Sequence, residues 1–202
     1  PDENDTLIRV LAYAENGSPR VLTVSQSGVC RLYGGWPLAL IDQYPVSPDV
    51  IAAAVGDFDA DGVPDLMIST MSTLTIHAMD GQLRHVLPYF AAQDIALGQL
   101  DADPALEIVL DNGSVLDGAT HALEWQYAKS FGGYVAIGKV VPDGSAGWVG
   151  TTPIDHFTIF RAAPWSPLWS GNLMGPWARA LAVLPIDDSG TDGVAVAEMG
   201  WG

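Results

Sequence analysis

Short apolar runs separated by turn residues, with no long amphipathic stretch between them, set the rhythm of this 202-residue chain. Segments 51–55, 95–97 and 135–137 are nearly continuous in small and branched apolar residues, as expected of strands covered on both faces. They predict the inner strands of a repeated unit. Further strand-like segments follow at matching distances: Gly28-Val29-Cys30-Arg31-Leu32-Tyr33, Leu74-Thr75-Ile76-His77-Ala78, Gly113-Ser114-Val115-Leu116 and His156-Phe157-Thr158-Ile159-Phe160-Arg161. After a turn comes a last short strand: Leu38-Ala39-Leu40-Ile41, His85-Val86-Leu87, Leu123-Glu124-Trp125-Gln126-Tyr127 and Pro167-Leu168-Trp169. Four short strands per period of 40 to 46 residues is the arithmetic of a β-propeller blade. The expected fold is all-β, a propeller or partial propeller of four-stranded antiparallel blades, with essentially no helix. The approximate repeats are 5–47, 48–91, 92–130, 131–175 and an incomplete 176–202.

Within this pattern one loop carries chemistry. In Val55-Gly56-Asp57-Phe58-Asp59-Ala60-Asp61-Gly62-Val63-Pro64-Asp65-Leu66-Met67-Ile68, aspartates alternate with other residues and run into an apolar strand. A hard cation such as calcium takes six to eight oxygen ligands, and carboxylates at loop positions 1, 3, 5 and 9 with a backbone carbonyl at 7 can curl around it. These positions are Asp57, Asp59, Asp61, Asp65 and the carbonyl of Val63. An EF-hand would place Glu at position 12 and continue as helix, whereas Ile68 stands there in a strand pattern. The competing reading is an aspartate turn that caps its own backbone without metal. Magnesium suits the loop poorly, because it demands a tight octahedron and keeps its waters.

A second copy, Gly98-Gln99-Leu100-Asp101-Ala102-Asp103-Pro104-Ala105-Leu106-Glu107, sets Asp101, Asp103 and Glu107 against Asp59, Asp61 and Asp65. Gln99 has replaced the first acid and Pro104 the turn glycine, so this site is expected to be the weaker one. A third copy, from Tyr134, has lost the acid series in its loop 139–147, and a fourth keeps only Asp187 and Ser189 opposite Asp59 and Asp61.

The segment from Ala54 to Ile68 resembles the FG-GAP or VCBS-type repeat of integrin α-subunit propellers and many bacterial secreted proteins, with Val55-Gly56-Asp57-Phe58 closest to the repeat's signature. The resemblance implies a blade per repeat and calcium in the aspartate loop. It also implies six or more blades, so the open half-repeat is expected to continue in a longer propeller, to be completed by the first segment, or to be covered by another chain.

Composition narrows the partners. Nearly half the residues (49%) are apolar, enough for a sizeable core, while the few charges give a formal net charge of -16. Nucleic acid and anionic membrane are disfavoured. Cys30 is the only cysteine, so no internal disulfide exists, and calcium is the expected staple of an extracellular, cell-surface or periplasmic protein. The opening Pro1-Asp2-Glu3-Asn4-Asp5 carries no leader pattern, which suits a removed leader or an excised domain.

No H-E-x-x-H, G-x-S-x-G, Walker loop or C-x-x-C is present, and His77, His85, His121 and His156 show no ligand spacing. They are expected in strands and turns. Trp148, Trp165, Trp169 and Trp177 crowd the third repeat and the loop after it; exposed tryptophans stack on sugars or proteins, but Trp125 and Trp169 occupy equivalent positions, which favours packing. Asn16-Gly17-Ser18 and Asn112-Gly113-Ser114 match the glycosylation acceptor pattern but are expected to be turns, as are Asp80-Gly81 and Asp117-Gly118. The expected function is a non-catalytic calcium-binding module that holds a protein or carbohydrate partner. The alternative is a propeller-fold enzyme, or part of one, such as a polysaccharide lyase.

Overall fold

The computed structural model describes residues 5–151, 156–162, 164–173, 178–185 and 190–198. Among these there is no helix, and every four-stranded sheet is an antiparallel meander with its strands in chain order. The chain forms two compact units, residues 1–92 and 93–202.

The first unit holds two sheets. One runs β1 (Leu7–Glu15), β2 (Ser18–Ser25), β3 (Val29–Gly34) and β4 (Ala39–Pro45); the other runs β5 (Ala52–Gly56), β6 (Asp65–Ser69), β7 (Thr73–Ala78) and β8 (Leu83–Pro88). Their core is largely aliphatic, joining Leu22, Val24, Leu32 and Val50 to Ala53, Leu66 and Ile68. Cys30 lies in that core, and burial pushes its thiol up to about 12, so it packs as an inert hydrophobe.

The second unit holds β9 (Ile95–Gly98), β10 (Glu107–Leu110), β11 (Ser114–Asp117) and β12 (Leu123–Gln126), then β13 (Tyr134–Gly138), β14 (Gly147–Thr151), β15 (His156–Arg161) and β16 (Ser166–Asn172). A two-stranded sheet of β17 (Ala178–Pro185) and β18 (Asp192–Glu198) follows. Asp187 and Ser189 of the expected fourth loop, together with Trp177, lie outside the described residues.

The apolar segments singled out in the sequence are first strands, at one edge of their sheets: β5, β9 and β13. Burial peaks one strand later, since β6, β10 and β14 are buried along their whole length. Both middle strands of a sheet have hydrogen-bonded neighbours on each side, unlike the edge strands, and β11 is as buried as β10. Within a unit, first strands of successive sheets lie against each other, β1 against β5 and β9 against β13 against β17. Glycine permits that approach. A Cβ on Gly98 would stand 2.6 Å from Ile137 Cγ2, and one on Gly138 would stand 2.3 Å from Val183 Cγ1.

Aromatic rings fill the second unit. Trp148 and Phe160 stack with centroids 5.2 Å apart, and Phe131 meets Phe160 edge to face at 4.9 Å. Trp125 and Trp165 complete the cluster. Thus packing holds for Trp125, Trp148 and Trp165. Trp169, at the register position matching Trp125, is 53% exposed and touches only Phe157 among the rings described.

Truncating Trp148, which is fully buried, is expected to cost about 3–5 kcal/mol. Trp36→Ala, at a residue 95% exposed, should stay within about 0.5 kcal/mol. Denaturant midpoints of the two variants check this.

Candidate metal centre

The loop between β5 and β6 is anchored by Phe58, which is buried, while Asp57 and Asp59 are half-buried and Asp61 is exposed. Its backbone folds onto its own carboxylates. The Gly62 N–H donates to Asp57 Oδ2 (3.0 Å), the Asp61 N–H to Asp59 Oδ1 (3.2 Å) and the Val63 N–H to Asp61 Oδ1 (2.7 Å). Gly62 takes a φ of +88°, which lets the loop turn after the third acid. Asp57, Asp59 and Asp61 each bring a carboxylate oxygen within 4.8 Å of the others. Asp57 Oδ1 is buried and makes no hydrogen bond. An oxygen stripped of water and left without a donor fits a cation better than it fits a self-capped turn.

The fourth predicted ligand behaves differently. Asp65 opens β6, is 2% exposed, and has its Oδ1 2.7 Å from Arg84 Nη1 on β8, close as an ion pair but off the line of a hydrogen bond. Burial raises its pKa most, Arg84 opposes that, and the three loop acids add to it. Three of the four predicted carboxylates therefore converge, and the fourth faces an arginine. Val63, expected to offer its carbonyl, stands exposed at the loop rim.

The second acidic loop reaches its cluster by another route. Glu107 opens β10 at the register position of Asp65, each opposite the glycine that ends the first strand (Gly56 with Asp65, Gly98 with Glu107). The residues that converge are Asp101, Glu107 and Glu124, with carboxylate oxygens within 4.8 Å of one another. Asp103 is not among them; its Oδ1 accepts from the Ala105 N–H at 2.8 Å. Glu107 is fully buried: its Oε2 accepts from the Leu100 N–H and its Oε1 has no hydrogen-bond partner. Burial pushes its carboxyl up to about 7.

Glu124 was missed because it lies on β12, far along the chain from the loop. It is the extra residue of a β-bulge, between Leu123 opposite Leu116 and Trp125 opposite Val115. Arg84 holds the same place on β8, between Leu83 opposite His77 and His85 opposite Ile76. Aligning the last strands by their bulges would have exposed the pair.

The remaining loops hold no acid cluster among the described residues. Asp143 binds Ser145 through Oδ1 (2.9 Å from its N–H) and lies 3.4 Å from Arg161 Nη2 through Oδ2. Asn16 and Gly17 form the tight turn between β1 and β2, both at positive φ.

His77 is buried, with Nδ1 3.1 Å from the Gly81 carbonyl oxygen and Nε2 3.0 Å from Thr75 Oγ1. Because a carbonyl only accepts, Nδ1 carries the proton of the neutral ring. His85 and His156 sit on strands β8 and β15, and His121 is in the turn after Asp117, where its N–H donates to the Asp117 carbonyl (2.9 Å).

These sheets define a β-propeller type of fold. Solved structures agree: the chain matches the Neurospora crassa Pan2 WD40 domain (TM-score 0.64, 9% identity, 89% of this chain and 54% of that one). It matches BBS1N, solved in complex with ARL6 (TM-score 0.67, 14% identity, 96% and 61%), and Saccharomyces cerevisiae Sqt1 (TM-score 0.67, 10% identity, 95% and 57%). The chain thus spans little more than half the length of these propellers. No family model matches the chain, and no curated relative does.

Burial holds the pKa of His77 below its usual 6.5, so the folded state favours the neutral ring while the unfolded chain binds the proton more readily. Stability from this residue is complete above pH 6.5 and is lost as the pH falls through and below that value. His77→Gln should flatten this part of the pH profile, read as melting temperature between pH 7.5 and 5.

Proposed function

We propose that the chain is a non-catalytic, calcium-stabilised propeller module of a secreted or cell-surface protein, presenting its outer strands to a protein partner. The single observation that carries the cation is Asp57 Oδ1, buried without a donor beside Asp59 and Asp61. Calcium bound there would join Asp57, Asp59 and Asp61, with the Val63 carbonyl as a further oxygen, and would offset the repulsion among the acids. Arg84 meets the charge of Asp65, which leaves that side chain to close the sheet beneath the loop. The likeness of 54–68 to FG-GAP or VCBS-type repeats supports an extracellular or periplasmic setting.

The partner surface follows from exposure. β4 is the last strand of its sheet, and on it and the turn before it Trp36, Leu38, Leu40 and Ile41 all face solvent. Aliphatic residues flanking an exposed tryptophan suit a protein surface better than a sugar, which rewards isolated stacking. BBS1N, one of the similar propellers, was solved with a protein partner, and this supports the same use here.

Calcium at about 100 times its dissociation constant should stabilise the chain by about 2.7 kcal/mol, raising the melting temperature by roughly 5–10 °C. Asp57→Asn and Asp59→Ala should each remove most of the rise contributed by this loop. A melting temperature unmoved by chelation, with both variants neutral, would show an aspartate turn instead.

For the partner surface, Trp36→Ala and Leu40→Glu should abolish binding to the protein partner while leaving the melting temperature unchanged. Binding on a glycan array that is lost with Trp36→Ala would replace protein with carbohydrate.

A further inference from the structure

The two sheets with acidic loops share one device and differ in one residue. In both, a carboxylate enters at the first position of the second strand, and the bulge residue of the fourth strand reaches it. In the first unit the bulge residue is Arg84, and it lies 2.7 Å from Asp65. In the second unit it is Glu124, so a glutamate stands where the charge logic calls for a cation. Asp101 from the loop adds a third carboxylate, and no Lys or Arg is paired with Glu107 or Glu124 among the salt bridges described.

We propose that Asp101, Glu107 and Glu124 form a second divalent-cation site, in which a metal ion does for Glu107 what Arg84 does for Asp65. The acidic cluster does not carry this by itself. The independent observation is the Glu107 side chain: it has no exposed surface, its Oε1 lacks any hydrogen-bond donor, and one of its carboxylate oxygens lies within 4.8 Å of those of Asp101 and Glu124. Three carboxylates and no nitrogen or sulfur donor select a hard cation. Of the three acids, Asp101 also lines a cleft of about 1090 Å³ together with Gln99, Asp103, Asp143 and Arg161. The ligand set differs from that expected of the loop alone: Glu124 replaces Asp103. The site lies wholly in the second unit, so it stands or falls separately from the Asp57 loop.

The competing state is a proton shared between Glu107 and a neighbouring carboxylate, which needs no metal. Calorimetric titration of the chelator-treated chain with calcium, and separately with magnesium, distinguishes the two. To isolate the site, the titration is run in an Asp57→Asn/Asp59→Ala background. One equivalent of calcium or magnesium should remain there, and the tighter of the two names the ion. Glu124→Gln should weaken that equivalent at least tenfold, while Asp103→Asn should leave it nearly unchanged. Glu124→Arg should abolish it and raise the metal-free melting temperature, by rebuilding the Arg84 arrangement. No titratable equivalent in the Asp57→Asn/Asp59→Ala background, or one that Glu124→Gln leaves intact, overturns the proposal. A binding site lost with Asp103→Asn rather than Glu124→Gln also overturns it, since it would return the ion to the loop. Glu124→Gln is isosteric and uncharged, so the result does not depend on Glu124→Arg folding.

Discussion

The residue of a blade's second strand that pairs with the last residue of the third is the position at which these sheets balance charge. In β6 and β10 that position opens a strand buried along its whole length, where an ionised carboxylate is costly unless another charge meets it. Register identifies the position in each full sheet: Arg20 opposite Gly34, Asp65 opposite Ala78, Glu107 opposite Asp117 and Gly147 opposite Arg161. The bulge residues of the fourth strands are Ile41, Arg84, Glu124 and Leu168. The four sheets solve the same problem differently. Arg20 reaches Glu15 at 3.0 Å and leaves the bulge aliphatic; Asp65 takes Arg84; and Gly147 removes the charge, with Leu168 in the bulge. Only the Glu107 sheet has an acid in the bulge facing the acid of the second strand.

The bulge makes this possible. One extra residue in the fourth strand shifts the register by one position, and because side chains alternate between faces, it turns a residue toward the blade that would otherwise point away. A long side chain there can reach past the third strand to the second. The device therefore links the largely exposed outermost strand to a strand buried along its whole length.

Repetition, strand count and turn positions were legible in the sequence because they depend on local pattern. Alternation, Asn-Gly pairs and spaced aspartates are short-range signals, and they placed Asp57, Asp59 and Asp61 together. The pairing of Asp65 with Arg84 and the approach of Glu124 to Glu107 were not legible, since both depend on a bulge two strands away. Asp103 misled for the same reason: its spacing matches Asp61, but Gln99 and Pro104 alter the loop, and the Asp103 side chain caps Ala105 instead. Trp169 shows the converse, since equivalence in register to Trp125 does not supply the rings that bury Trp125.

The charge balance of the chain explains why arginine is not the general answer. Twenty-four acids face eight Lys and Arg residues, and several of the basic groups already have tasks close at hand. Arg20 holds Glu15, Arg84 holds Asp65, Arg161 lies by Asp143, and Arg31 donates to Gln43. An arginine in a bulge must also find room for a planar guanidinium, whereas a carboxylate that recruits an ion from solution needs only a short side chain and water. On the proposed reading, the acidic excess is a set of local sites that trade a fixed, covalently attached cation for a mobile one. Stability then becomes a function of the surrounding metal concentration in the sheet that lacks its arginine, and remains intrinsic at the register position where Arg84 is present.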